Sequence, residues 1–407
     1  MGTIATLRNY IISKQFSRYF NRVFVLSVKN VIYPTKDNFD DNHIERIKVN
    51  NFDYRNFKKN KDVKFYDQNN PLVNFFSKLF DSFPFNFLLG EGGIIYIVSG
   101  YISAKKVIES GDISHIYSSF RPFADHWIAR LLKRKYPHLI WIADYRDVHV
   151  DPVRKNVFFP KIQHWYNKRM LKNVDVVTTV SEGLADILRK YDKEVYVLHN
   201  GIFRLFNNQS VEKNKYFNIC YTGSMYGDNR NPSILLKALN ELIAEDKINP
   251  PDVKIKYAGK DDLVWQEYVQ KYKLSNLYEY NGYLSFEESF KVQRSSHINL
   301  LLTYASKSYT GGLTGKLYEY FSADRPILLI IKGDKDKELE EMFTKTNAGL
   351  IVYTDNSYLE SVKQFINNLY SEWKLNGSID FKMNKEAIEK YHWDKMMDEF
   401  VNHLRQN

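Results

Sequence analysis

Short apolar runs alternate with amphipathic stretches along most of the chain. An opening amphipathic helix places Ile4, Leu7 and Ile11 on one face. Residues 23–28, 113–117, 139–143, 174–180 and 194–198 then read as strands, and residues 123–134, 161–171 and 182–189 carry helical periodicity between them. Repeated β-α-β punctuation of this kind predicts a parallel, doubly wound sheet. The pattern restarts after residue 215. Strands are expected at 218–221, 253–258, 277–280, 298–302 and 326–331, with helices at 232–245, 263–272, 286–294 and 316–321. Residues 34–72 are polar and aromatic with weak periodicity, and read as a long, partly ordered excursion.

The fold class is therefore α/β with two Rossmann-like domains. Residues 207–215 are rich in Asn, Gln and Lys, as a linker is. The expected parts are 1–203, 216–384 and a closing segment, 385–407, that ends in a helix at 393–404. The beginning departs from the pattern. A doubly wound domain opens with a strand, a glycine turn and then its first helix. Here Gly2 leads straight into a helix, so the first domain is expected to lack its first strand, the chain starting one strand late.

Composition narrows the class. The 407 residues are 44% apolar, enough for two cores, and Cys220 is the sole cysteine, so no intrachain disulfide forms. No signal peptide and no run of 18 apolar residues is present, which points to the cytosol or the inner face of a membrane. The formal charge is +10, and residues 1–200 alone hold 31 Lys and Arg against 20 Asp and Glu. All of the excess sits in the first half. Such a half suits an anionic membrane, to which it would bind peripherally, or a polyphosphate. With no zinc spacing, ribonucleoprotein motif or long basic run, no nucleic-acid partner is expected.

The richest chemistry lies at residues 311–320. An apolar run precedes Gly311, Gly312, Leu313, Thr314 and Gly315, and Lys316 opens the next helix. Glycines admit close backbone approach, and a helix N-terminus offers free N–H groups and a positive dipole end to a phosphate. Lys316 adds a cation, and Glu319, one turn on, an acceptor suited to a ribose diol. A P-loop is excluded, because Thr310 and Leu317 stand where that motif needs Gly and Ser or Thr. In the first half, Asp144, Arg146 and Asp147 follow a strand, where open α/β sheets place their sites. Either aspartate would orient a hydroxyl, with Arg146 holding a phosphate or bracing a carboxylate, or else the three form an ion-pair cluster that supports the loop. His126 follows Ser118 and Ser119 and is a candidate acid/base, or else a packing histidine. His164, Trp165 and Tyr166 read as helix packing. No Asp-x-Asp cluster occurs in a suitable loop, and neither a metal nor a resident cofactor is expected.

Taken in order, several segments resemble the retaining family-four glycosyltransferases of bacterial surface-polysaccharide synthesis, which have the GT-B fold. These are Ser118-Ser119-Phe120-Arg121-Pro122, Ala143-Asp144-Tyr145-Arg146-Asp147, Val180-Ser181-Glu182-Gly183-Leu184, Leu198-His199-Asn200-Gly201-Ile202, Tyr221-Thr222-Gly223-Ser224 and Thr314-Gly315-Lys316-Leu317-Tyr318-Glu319-Tyr320. The resemblance implies a hexosyltransferase that uses a nucleotide sugar, UDP- or GDP-linked, and a glycan or lipid-linked acceptor. It places the donor on Gly223, Ser224, Arg230, residues 311–315, Lys316 and Glu319. It places the acceptor on Ser118, Ser119, Arg121 and Arg146, with catalysis involving His126, Asp144 and Asp147, and packs segment 385–407 back toward the first domain. Two departures stand out. Gly311 occupies the place of the first of two glutamates eight residues apart, and the Arg-x-x-Lys-Gly segment after the glycine turn is reduced to Arg230. A nucleotide-sugar epimerase, or a catalytically degenerate partner subunit of the same architecture, are the alternatives.

Overall fold

The computed structural model describes residues 4–28, 44–51, 71–90, 92–152, 155–202, 214–225, 229–307, 310 and 312–406. The chain divides into two compact units, Gly2–His199 and Asn200–Asn407. The closing segment falls in the second unit, where Ile202 bridges to His392 in a parallel pair.

The first unit opens with α1 (Ile4–Phe16), β1 (Val23–Val28) and β2 (Ile44–Val49). Next come α2 (Pro71–Asp81), α3 (Phe85–Leu88) and α4 (Gly93–Ser110). A regular alternation follows: β3 (His115–Phe120), α5 (Phe123–Lys135), β4 (Ile140–Tyr145), α6 (Pro160–Leu171), β5 (Val176–Thr179), α7 (Glu182–Arg189) and β6 (Val195–Val197). Strands β3 to β6 lie in sequence order in one parallel sheet, buried between helices as crossover connections require. The region read as an excursion supplies β2, which pairs in parallel with β1 over six residues. Its apolar content is only Ile44, Ile47 and Val49, too sparse to signal a strand.

Among the described residues β1 and β3 belong to separate sheets, and each pairs on one side only. The periodicity led us to expect a single sheet. Helix α1 starts at Ile4, as expected, and residues 1–3 lie outside the described residues. Helices α4 and α5 pack closely because Gly100 has no side chain. A Cβ there would come within 2.5 Å of Ile128 Cδ1.

The second unit contains β7 (Phe217–Thr222), α8 (Ser233–Ala244), β8 (Val253–Ala258), α9 (Asp262–Lys271), β9 (Tyr278–Tyr280) and α10 (Phe286–Ser295). It continues with β10 (Ile298–Ala305), α11 (Gly315–Ala323), β11 (Ile327–Gly333), α12 (Lys337–Thr346) and β12 (Gly349–Tyr353), and ends in α13 (Leu359–Asn376), α14 (Lys385–Glu389) and α15 (Trp393–Gln406). Its six parallel strands run β12-β11-β10-β7-β8-β9. Side chains alternate between two cores. Phe217, Ile219, Leu300, Leu302, Leu328 and Ile330 face one, while Leu301, Ile327, Leu329 and Ile331 face the other. Helix α10 begins with a capping box between Ser285 and Glu288, which satisfies two otherwise orphaned backbone donors.

Candidate functional site

The strand order of the second unit reverses between β7 and β10. In an open α/β sheet the crevice beyond the carboxyl ends at such a reversal is where ligands bind. The two loops that leave those ends are Gly223-Ser224 after β7 and the glycine loop after β10. The two sequence-predicted donor elements are thus neighbours by topology.

Side chains tie them together. Gln293 of α10 is fully buried, and its Nε2 donates to Thr222 Oγ1 at 2.9 Å and to Glu319 Oε2 at 3.0 Å. Tyr320 Oη accepts from the Thr222 backbone N–H at 3.3 Å and donates to Leu300 O at 3.1 Å. Lys316 Nζ lies 2.6 Å from Glu319 Oε2, both side chains being about nine-tenths buried. The pair is an i, i+3 couple on the first turns of α11, so the cation sits at the positive end of the helix.

Thr314 has the backbone angles of an N-cap, but its hydroxyl does not cap α11; its Oγ1 is buried and has no partner. A buried polar atom of this kind marks a place where a ligand or water completes the set. Leu313 is buried in the core and offers the site only its backbone. Gly312 O receives Thr303 Oγ1 at 3.4 Å, and Gly311 lies outside the described residues.

At the other loop, Arg230 Nη1 donates to Ser224 O at 2.6 Å and to Tyr221 Oη at 3.3 Å, which places its guanidinium beside the Gly223 turn. Tyr257 Oη donates to Gly223 O at 3.0 Å and accepts from the Asp261 N–H at 2.9 Å. Gly259 has to be glycine, since a Cβ would lie 2.1 Å from Tyr257 Oη and 2.2 Å from Gly223 O. Gly259→Ala is expected to displace the Gly223 turn and weaken nucleotide binding at least tenfold, read by calorimetric titration.

In the first unit the predicted residues form two buried pairs. Ser118 Oγ accepts from Trp141 Nε1 at 2.8 Å, which leaves its hydrogen for His126 Nδ1, also at 2.8 Å. His126 is fully buried among Phe120, Phe123, Trp141 and Tyr145, and burial pushes its pKa down to about 3. The expectation of an acid/base at His126 is corrected: an imidazole sealed in aromatic packing has no path to a substrate.

Asp144 is corrected likewise. It is fully buried and accepts from Arg8 Nη2 at 2.9 Å, Thr178 Oγ1 at 2.8 Å and Ser119 Oγ at 3.3 Å. Arg8 also donates to Leu198 O and His199 O, so the pair ties α1 to the end of the sheet. Burial raises the carboxyl pKa, but the Arg8 charge and these hydrogen bonds outweigh it and hold it low.

Ser118 and Ser119 are themselves buried. Arg146 donates to Phe120 O and Arg121 O, bracing the loop after β3, and Arg121 pairs with Asp81 at 2.7 Å. Of the three residues named for catalysis, Asp147 alone is partly exposed.

That loop borders a feature which sequence reasoning missed. A cavity of about 20 Å³ is lined by Asp81, Asn86, Arg121 and His149 over three phenylalanines. It has room for one water or hydroxyl. His149 Nε2 lies 3.0 Å from Asp81 O, so the proton belongs on Nε2 and Nδ1 is a bare acceptor without a partner. The sequence around His149 offers no metal-like spacing. Its partners come from α2 and α3, more than 60 residues away, and no local signal announces them. Among the described residues no three His, Cys, Asp or Glu side chains are grouped to hold a metal.

His126 and His149, whose pKa burial drives to about 4, stay neutral where the unfolded chain's histidines take up protons. The unfolded state then binds more protons, and stability falls as pH drops from 6.5 toward 4. Each is expected to cost about 2 kcal/mol at pH 5 relative to pH 7. Urea titrations at the two pH values check this, and His126→Gln should remove about half of the difference.

No family model and no curated protein sequence matches the chain. Solved structures do. Sucrose-phosphate synthase from Thermosynechococcus elongatus superposes with a TM-score of 0.58 at 13% identity, over 99% of this chain and 92% of that one. The lipopolysaccharide outer core galactosyltransferase WaaB, in its apo form, gives 0.57 at 11%, over 100% and 96%. Apo OtsA gives 0.57 at 13%, over 98% and 96%. The chain therefore has the fold of the GT-B glycosyltransferases, two Rossmann-like domains in one polypeptide.

Proposed function

We propose that the protein is a glycosyltransferase that takes a hexose from a nucleotide sugar and passes it, with retention, to a polysaccharide or lipid-linked oligosaccharide acceptor. The observation that carries this reading is the tie through Gln293 of the two glycine turns at the strand-order reversal, with Lys316 and Glu319 on one side and Arg230 on the other. A nucleoside diphosphate gains negative charge as it leaves. Lys316, Arg230 and the first amides of α11 would stabilise that charge. Glu319 would accept from the ribose diol once its lysine partner turns to phosphate. For the acceptor we propose the mouth of the first sheet, where Asp147 and the bare Nδ1 of His149 would receive hydroxyl hydrogens and Arg121 would donate to a hydroxyl oxygen.

The test is a panel of UDP, GDP and their sugars, read by thermal shift and by nucleotide release. A ligand that binds only the folded state raises its melting temperature. Nucleotide release that requires an added glycan supports transfer. Interconversion of the nucleotide sugar without acceptor would point to an epimerase, and binding without turnover to a degenerate subunit.

A further inference from the structure

Sixteen large apolar side chains among the described residues are strongly exposed, and twelve of them come from α2, α3, α4, the start of α6 and the residues adjoining α3 and α6. Helix α4 is apolar on two opposite faces. Tyr96, Ile97, Gly100 and Ala104 are buried against the core, while Ile94, Ile95, Val98 and Ile102 form a stripe with 41–50% of their surface open. A helix apolar all round is stable only where both faces are covered.

Helix α6 likewise carries apolar residues on its outer side. Its inner face buries Gln163 and Asn167 beside Tyr166, Met170 and Leu171, while Phe159, Ile162 and Trp165 stand outside, Phe159 72% exposed. The exposed residues of α6 meet those of α2. Phe75, exposed beside Phe76 on α2, packs 5.3 Å from Phe158, the neighbour of Phe159. Helix α3 adds the exposed Phe85, Leu88 and the adjoining Leu89. With about half of each side chain open, the twelve together expose on the order of 1,000 Å² of apolar surface, more than the largest patch of an ordinary soluble monomer.

Charge identifies what covers it. Residues 155–172 contain five Lys or Arg and no Asp or Glu. Arg169 stacks over Trp165 at 5.3 Å, and its carbonyl receives Arg130 from the basic end of α5. Lys105 and Lys106 stand one turn beyond Ile102 on α4. Apolar stripes with an exposed tryptophan, bordered by lysines and arginines, suit the boundary between acyl chains and anionic headgroups. No helix among the described residues is long and apolar enough to cross a membrane, so the contact would be interfacial.

We propose that this face of the first unit docks on an anionic phospholipid leaflet. Its apolar stripes enter the headgroup boundary, and the α5–α6 cations draw it there. The docking stands apart from sugar transfer, since it uses none of the donor residues.

The test is co-sedimentation of the full chain with phosphatidylcholine vesicles and with vesicles holding 30% phosphatidylglycerol. Tight binding to the anionic vesicles is expected, weakened but not abolished by high salt. A fall of at least tenfold is expected for Ile95→Gln/Val98→Gln and for Phe159→Ser/Trp165→Ala. All four side chains are exposed, so melting temperature and the nucleotide thermal shift should stay at wild-type values. Wild type that ignores both vesicle types, or variants that sediment as wild type does, would overturn the proposal. So would a wild-type dimer that the variants split and that binds no vesicles, since the face would then be a self-association surface.

Discussion

Lys316→Ala is expected to lower kcat/KM for the nucleotide sugar on the order of 10²- to 10³-fold, the usual effect of losing one preorganised partner of a developing oxyanion. The side chain is only about one-eighth exposed, and its partner at 2.6 Å is Glu319. The carboxylate keeps its hydrogen bond from Gln293 in the variant, so the fold should hold while the cation is gone. The thermal shift given by nucleoside diphosphate should shrink with the rate. Glu319→Gln separates the roles. It removes the charge that holds Lys316 but keeps an acceptor, and should raise KM for the donor more than it lowers kcat. Full turnover by the Lys316→Ala, Glu319→Ala double variant would remove this site from the reaction.

Asp144→Asn should destabilise the first unit by about 3–5 kcal/mol, because it leaves the Arg8 guanidinium buried without its counter-charge. Chemical denaturation at neutral pH measures the loss. Removing both charges in Arg8→Met/Asp144→Leu should recover much of it, because a buried pair offsets little beyond its own desolvation. The same pair fixes a response to acid. The carboxyl pKa is lowered in the folded state, so its contribution is present above the ordinary aspartate range and is lost as pH falls through the folded value. This loss comes at more acidic pH than that from His126 and His149. A single aspartate variant that unfolds at the wild-type denaturant midpoint would show that the pair does no more than fill space.

The strands and helices between residues 113 and 331 were legible to within about three residues, because apolar runs of four to eight residues broken by turn signals are what buried parallel strands require, whereas α12, β12 and α13 were not read. The glycine loop ahead of Lys316 was legible for a similar reason: close backbone approach and a helix start demand particular residue types. Strand β2 was not, for its pairing with β1 depends on neighbours rather than on its own sparse apolar content. Gln293 left no mark beyond the polar Ser289 one turn earlier on the inner face of a helix. Trp165 was read as packing, yet it stands outside, since period alone cannot say which face of a helix the core takes.

By itself the sequence determined two α/β halves and the residue types of an anion site, both of which follow from local periodicity and backbone demands. Only the tertiary structure decided which polar residues work. Asp144 and His126 look like chemistry on a strand and a helix, but Arg8, more than a hundred residues away, and a wall of aromatic rings turn them into core. The physical reason is desolvation: whether a titratable side chain is a reagent or a brace depends on what excludes water from it, and those groups come from distant parts of the chain.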